Sequence, residues 1–164
     1  FGKTVAFVGT YYPERCALIR HLNQLLETPV AVWGRGWRKC HGVKHHGALS
    51  LADSLKVYHC SRIVLNLHHV NTPNGVNMKY FEIPAAGGFQ LSDWQPLMDA
   101  PGTPQAAIAC RSAEEFSSQI DFYLEHELQR HEFSLASRAS IIAASAYKPR
   151  LATLLQELAA SDTA

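Results

Sequence analysis

Short apolar runs alternate along this chain with longer stretches in which apolar residues recur at helical spacing. The apolar runs fall at residues 3–10, 30–33, 63–67, 89–92 and 106–110. Runs of this length that end at glycine or polar residues predict strands that are buried on both faces. A short additional strand is expected within residues 43–48.

The stretches between these runs predict helices. Pro13 is placed to begin the first one, and the leucines and isoleucine that follow lie on one helical face. Ser50 with Asp53, and Ser112 with Glu115, have the spacing of capping boxes at the starts of two more helices. Residues 127–146 and a segment that starts at Pro149 are also predicted to be helical.

This alternation predicts an α/β fold: a Rossmann-like, doubly wound parallel sheet with helices on both faces. Such sheets bind ligands at the carboxyl ends of their strands. The prediction therefore places residues 9–15, 34–37, 68–79 and 92–94 at one rim of the sheet.

Composition and charge narrow the function. The chain has 164 residues, enough for one domain, and a net charge of +1, which argues against a protein that binds nucleic acid through bulk positive charge. We find no apolar run near the roughly 18 residues of a membrane span, so we expect no transmembrane segment. The four cysteines form no C-x-x-C pair, which favours reduced thiols and a cytoplasmic protein. Because the chain begins at Phe1, we expect residues 1–164 to be one domain of a longer, two-domain protein.

The segment from Asn74 to Asp93 carries the strongest chemical signal. An Asn/Gly turn leads into a short helical segment with Lys79 and Glu82, and a Gly-Gly turn follows. Backbone N–H groups at a helix start suit a phosphate, and a glutamate suits the two hydroxyls of a ribose. Phosphate and ribose together predict a nucleotide-sugar site. Pro84 predicts that this helix is short or kinked.

Four stretches carry a family resemblance: VGTYYPER at residues 8–15, VWGRGW at 32–37, SRIVLNLH at 61–68 and NMKYFEIPAAGG at 77–88. Together they resemble the CgeB-like (spore-maturation-type) glycosyltransferases. These proteins are similar to the C-terminal half of family 1-type glycosyltransferases with the GT-B architecture. The resemblance covers about residues 3–160.

The resemblance implies a domain that binds a nucleotide diphosphate sugar, with an acceptor-binding domain preceding it and an unknown acceptor. It implies that Glu82 holds the ribose and that the loop after the first strand lies near the diphosphate. No metal or cofactor is expected, and catalysis would rest on stabilisation of the departing diphosphate by Arg15, Lys79 and backbone N–H groups. The predicted donor-binding residues are Gly9, Thr10, Arg15, Asn74, Asn77, Lys79, Glu82, Gly87 and Gly88.

Some alternatives stay open. Asn74 stands where the wider superfamily has a glutamate, which favours a non-catalytic nucleotide-binding or protein-interaction module. No catalytic residue is assigned, although His68 and His69 at a strand end are candidates for a general base. The histidines near Cys40 lack the spacing of a zinc site. A receiver-like domain is disfavoured because the first strand ends in Gly9 rather than in acidic residues.

Overall fold

Five parallel strands form one sheet in the order β2-β1-β3-β4-β5. The computed structural model describes residue 2 and residues 4–69, 74–145, 151–152 and 154–156. Every neighbouring pair of strands is parallel, which confirms the predicted doubly wound α/β class. The strands are β1 (Val5–Val8), β2 (Ala31–Trp33), β3 (Ile63–Asn66), β4 (Gln90–Asp93) and β5 (Ile108–Cys110).

Helices cover both faces of this sheet. They are α1 (Pro13–Leu25), α2 (Leu51–Cys60), α3 (Lys79–Ala85), α4 (Ala113–Glu125) and α5 (Glu127–Ser145), with short 3₁₀ turns at Trp37–Lys39 and Pro96–Asp99. Helix α1 packs beside α4 on one face and α2 packs beside α3 on the other, while α5 contacts both α3 and α4. The described residues of the predicted last segment, 151–152 and 154–156, are helical, whereas Pro149 lies outside the described residues.

Alternate residues of β1 enter separate cores. Val5 and Phe7 pack into the cluster beneath α1 and α4, and Ala6 and Val8 pack into the cluster beneath α2 and α3. All four side chains are at most 8% exposed. Burial on both faces explains why β1 is apolar at every position rather than at alternate ones.

The order of the strands creates a crevice between β1 and β3. The chain leaves β1 through α1 towards β2, and it leaves β3 through α3 towards β4, on the other side of the sheet. Because α1 and α3 lie on opposite faces, the segments that follow β1 and β3 diverge at the carboxyl edge. This is the switch point at which doubly wound sheets bind ligands.

Local signals in the sequence are largely confirmed. The Ser50 hydroxyl accepts a hydrogen bond from the Asp53 N–H at 3.1 Å, and the Ser112 hydroxyl accepts one from the Glu115 N–H at 3.2 Å. The prediction of a strand within residues 43–48 is wrong, since that segment forms only an isolated bridge between His45 and Val32. After this bridge the chain continues without regular structure to the start of α2.

Helix α3 is short, as Pro84 predicted. It has seven residues, and Pro84 lies inside its last turn. Proline has no N–H to donate to the carbonyl four residues earlier, that of Tyr80. The buried amide of Gln90 donates to this carbonyl instead, at 3.3 Å, and to the carbonyl of Ala106 at 3.1 Å.

The expectation of four reduced thiols is wrong for one pair. Cys16 and Cys40 form a disulfide with their Cα atoms 5.8 Å apart, while Cys60 and Cys110 are free. Neither spacing nor motif marks this pair, which is 24 residues apart in sequence. The packing of the first turn of α1 against the 3₁₀ turn after β2 brings the two cysteines together. A cytoplasmic location stays a prediction.

Candidate functional site

The ends of β1 and β2 meet at two glycines. The Gly9 N–H donates to the Trp33 carbonyl at 2.8 Å, and the indole N–H of Trp37 donates to the Gly9 carbonyl at 2.7 Å. Gly34 has a φ of +143°, and a Cβ atom there would lie 1.9 Å from the Gly9 carbonyl oxygen. Only glycine permits this approach, which fixes the backbone on one side of the crevice.

Arg15 crosses the crevice from α1. Its guanidinium donates to the Thr10 carbonyl at 3.0 Å and to the Leu67 carbonyl, which follows β3, at 2.5 Å. The residue is 8% exposed, and burial lowers the pKa of its guanidinium below the usual value. Its charge also lies 5.0 Å from the centre of the Tyr12 ring. Arg15 therefore ties together the two segments that border the crevice.

Lys79 crosses the crevice from α3 in the opposite direction. Its ammonium lies 5.9 Å from the centre of the Phe7 ring and would lie 3.0 Å from a Cβ atom on Gly9. The pKa of Lys79 is lowered to about 8, mainly by burial and also by the charge of Arg15, while the charge of Glu82 opposes the shift. Within the described residues, no side chain or carbonyl forms a hydrogen bond or ion pair with this ammonium.

The start of α1 adds positive potential at the same place. Its N-cap residue, Tyr12, makes no side-chain capping bond, and Pro13 has no N–H. The positive end of this 13-residue helix therefore opens onto the crevice. A helix start favours anions and disfavours cations, yet two cations lie close to this one. Nearby acidic groups offset part of their charge: Asp93 and Glu14 act on Arg15, and Glu82 acts on Lys79.

Two of the backbone donors at the start of α3 are used locally. The Tyr80 N–H donates to the side chain of Asn77 at 3.2 Å, and the Phe81 N–H donates to the Met78 carbonyl at 3.0 Å. Asn77 also donates to Asn66, the last residue of β3, at 2.8 Å, and thus anchors α3 to the sheet. The N-cap residue of α3, Met78, makes no side-chain capping bond, and neither does that of α1.

Glu82 lies one turn after Lys79 and faces α2. It lines an open, mostly apolar groove of about 620 Å³ between α2 and α3. Glu82 is the only acidic residue of this lining, which also contains Leu51, Leu55, Lys56, His59, Cys60, Ala85 and Ala86. A ligand that reaches from Lys79 to Glu82 would therefore run from the crevice towards this groove.

The remaining predicted residues are spread more widely. Asn74 has a φ of +63°, is exposed, and accepts a hydrogen bond from the Leu97 N–H at 3.1 Å. Gly87 and Gly88 follow the end of α3 and precede β4, so they lie at the amino edge of the sheet, opposite the crevice. Both of their N–H groups donate to carbonyls of α3. The structure thus brings together Gly9, Thr10, Arg15, Asn77 and Lys79, but not the Gly-Gly turn.

Sequence reasoning gave no role to two polar residues at the ends of β3 and β4. Asn66 is fully buried at the end of β3, and Asp93, at the end of β4, forms an ion pair with His68. The apolar run around Asn66 was a usable signal, because a polar residue inside a buried strand needs a reason. The pairing of Asp93 depends on the packing of β3 beside β4, which no local pattern gives.

The described residues contain no group of three or more histidine, cysteine or acidic residues arranged to hold a metal ion. No helix there has the length and apolar character that a bilayer crossing demands.

Comparison with known proteins places the chain among the glycosyltransferases. A family profile described as "Glycosyl transferase-like" matches residues 15–156. No curated protein sequence is significantly similar to the chain.

Solved structures share the fold. The catalytic domain of cholesterol-α-glucosyltransferase from Helicobacter pylori has a TM-score of 0.65 and 18% identity, with 87% of this chain and 98% of that chain covered. Anabaena HepE in complex with UDP-glucose has a TM-score of 0.65 and 14% identity, with 98% and 49% covered. T4 phage BGT in complex with UDP-glucose has a TM-score of 0.67 and 10% identity, with 94% and 48% covered. The chain thus spans about half of the latter two proteins, and the likeness confirms the predicted GT-B-type Rossmann-like fold.

Proposed function

Since the chain belongs to the glycosyl transferase-like family, we propose that it is the domain of a glycosyltransferase that binds the nucleotide diphosphate sugar donor. One observation carries the proposal: Arg15 and Lys79 cross the crevice from opposite sides, and no described carboxylate forms an ion pair with either. A diphosphate between them would balance both charges and the positive end of α1.

The chemistry follows from this placement. Transfer breaks the bond between the sugar's anomeric carbon and the diphosphate oxygen, and negative charge builds up on the departing diphosphate. Lys79 and the start of α1 would stabilise that charge without a metal or cofactor. Arg15 donates two hydrogen bonds to backbone carbonyls, which hold the crevice in shape, and its charge would add to the stabilisation of the diphosphate. A preceding domain would bind the acceptor and would supply the group that removes the acceptor's proton.

We assign the ribose to Glu82. Glu82 lies one turn beyond Lys79 and lines the groove between α2 and α3. A carboxylate accepts hydrogen bonds from both hydroxyls of a vicinal diol, and each such bond is charge-assisted. The subfamily assignment, CgeB-like, rests on the four quoted stretches, of which two contain Gly9 and Lys79.

Binding of UDP to the purified chain tests the proposal, because HepE and T4 phage BGT are both seen with UDP-glucose. Calorimetric titration should give tighter binding for UDP than for uridine, and GDP with guanosine is the second pair of probes. Lys79→Ala should remove most of this difference. Lys56→Ala is the matched control, since that ammonium is paired with Asp53 at 2.8 Å. Equal affinities for diphosphate and nucleoside would contradict the proposal.

A second titration tests Glu82. Glu82→Gln keeps the shape of the side chain but removes its charge, which should weaken UDP binding by about 1–3 kcal/mol. The variant should discriminate less than the parent between UDP and its 2′-deoxy analogue. If both proteins lose the same affinity for the deoxy compound, the ribose lies elsewhere.

A non-catalytic nucleotide-binding module is the second candidate. The exposed side chain of Asn74 is an amide at the position where the resemblance leads us to expect a carboxylate. The test is an activity assay of the full-length protein with UDP-sugars and GDP-sugars. Binding of UDP or GDP with neither hydrolysis of the sugar nucleotide nor transfer of its sugar would favour this alternative.

A further inference from the structure

A buried histidine and a partly exposed carboxylate form a pair beside the crevice, where β3 and β4 end, and the proposed function leaves this pair unused. Nδ1 of His68 lies 2.7 Å from Oδ1 of Asp93, and the His68 main-chain N–H donates to the same oxygen at 2.9 Å. The imidazole is 2% exposed. Because an ionised carboxylate can only accept, Nδ1 carries a proton, and Nε2 is the nitrogen left to face another group.

Three buried nitrogens without a partner belong to residues at or bound to the end of β3. Nε2 of His68, Nδ2 of Asn66 and Nε of Arg15 have no hydrogen-bond partner within the described residues. Arg15 reaches this end of the strand, because it donates to Leu67, the residue between Asn66 and His68. Most buried polar groups in proteins are hydrogen-bonded, so three such nitrogens on residues at one strand end favour a site for an acceptor-rich ligand.

We propose that His68 binds the donor's diphosphate through Nε2 as an imidazolium, with Asp93 as its counter-ion. The inference rests on the proposed function, since it assumes that the phosphates enter this crevice. A hydrogen bond from a cationic N–H strengthens as charge builds up on the departing phosphate. The ring is enclosed by the residues around it, so under this proposal the wall of the crevice shifts as the donor enters.

Two amide variants separate contact with phosphate from a structural role. In His68→Asn the amide nitrogen takes the place of Nδ1, which preserves the bond to Asp93 and removes Nε2. In His68→Gln the amide nitrogen reaches the place of Nε2 and the bond to Asp93 is lost. UDP and uridine are titrated into both variants and the parent, and the melting temperature of each protein is measured.

The proposal predicts opposite orders for affinity and stability. His68→Asn should weaken UDP binding about tenfold or more and leave uridine binding unchanged. His68→Gln should retain UDP binding to within about threefold, yet melt at a lower temperature, because it loses a buried hydrogen bond. If UDP affinity instead follows the melting temperature, or if both ligands lose affinity equally, the proposal is overturned.

The unmodified protein provides a check that does not depend on folding of the variants. The ¹⁵Nε2 resonance of His68 should move when UDP is added and stay in place with uridine; an unmoved resonance overturns the proposal. These experiments distinguish a failure of the His68 proposal from a failure of the proposed donor-binding function. If Lys79→Ala loses UDP while His68→Asn does not, only the role of His68 is wrong. If the parent binds neither UDP nor GDP, both proposals fall.

Discussion

Arg15 and Arg130 are equally buried, but their surroundings differ. Each is 8% exposed, and burial lowers the pKa of both guanidinium groups. Arg130, in α5, pairs with the Glu127 carboxylate at 3.2 Å and donates to the Tyr123 carbonyl. Arg15 donates only to carbonyls. A second cation, Lys79, lies close enough to Arg15 that the charge of Arg15 lowers the pKa of Lys79.

Under the proposed function, this difference separates a charge that serves folding from one that serves binding. Buried charges are ordinarily paired within the protein, as Arg130 is at the junction of α4 and α5. In the crevice no described carboxylate forms an ion pair with either cation, and we propose that the ligand balances their charge. Sites of this kind lower the stability of the free protein in return for affinity, a trade-off that is frequent at functional sites.

The largest effect is expected when the close contact between Gly34 and the Gly9 carbonyl, which shapes one side of the crevice, is disrupted. Gly34→Ala would push a methyl group into the Gly9 carbonyl, 1.9 Å away, and should lower the free energy of unfolding by about 3 kcal/mol or more. Gly42 is the matched control: its φ is +83° and a Cβ there would meet nothing within 4 Å. Gly42→Ala should cost only about 1 kcal/mol, from backbone strain. Urea unfolding of both variants measures the difference.

Replacement of each buried arginine tests the comparison directly. Arg15→Met and Arg130→Met should both lower the free energy of unfolding by about 1–3 kcal/mol, because each leaves buried carbonyls unpaired. Only Arg15→Met should weaken UDP binding, by about tenfold or more, since only that crevice is expected to hold the diphosphate. Equal effects of the two variants on UDP binding, measured by calorimetry, would contradict the distinction.

Lys79 offers a test by pH. Its pKa is lowered from the usual 10.5 to about 8, so between these values the unfolded chain binds more protons and stability rises with pH. Below pH 8 the full penalty of the buried charge is present. Lys79→Met should therefore stabilise the free protein by about 1–3 kcal/mol at pH 7, and the gain should fade towards pH 10.5. Urea unfolding at pH 7 and 9.5 checks this, and a gain that is independent of pH would show that packing, not charge, is responsible.

The smallest effect is expected at a cation that is already partnered at the surface. Arg111 stacks on Trp94 at 3.8 Å from the ring centre and lies 4.0 Å from Asp99. Exposed pairs of this kind contribute about 1 kcal/mol or less. Arg111→Ala should change the melting temperature slightly and leave UDP affinity unaltered. A marked loss of UDP affinity would extend the donor site to the ends of β4 and β5.

The fold could be predicted because its signals are local. Continuous apolar strands, Pro13 at a helix start and the serine caps act within a few residues, and all are confirmed. The site was harder to predict, since it depends on which elements are neighbours. The meeting of Lys79 with Gly9 follows from the position of β1 beside β3, and the pairing of His68 with Asp93 follows from β3 beside β4.

Direction along the sheet explains the weakest part of the prediction. Gly87 and Gly88 are close in sequence to Lys79, but α3 runs antiparallel to the strands and carries them to the other edge. The Cys16–Cys40 disulfide was invisible for a related reason, because two separate elements bring its cysteines together. Proximity in sequence does not indicate which edge of a parallel sheet a residue reaches.

The amide of Gln90 has a consequence for how this sequence can change over generations. It satisfies the Tyr80 carbonyl that Pro84 leaves without a helical donor. Replacement of Gln90 alone would leave the buried Tyr80 carbonyl without a hydrogen-bond donor. Replacement of Pro84 alone would give that carbonyl two competing donors. The two positions are thus epistatic, and lineages that lose one should be found to have altered the other.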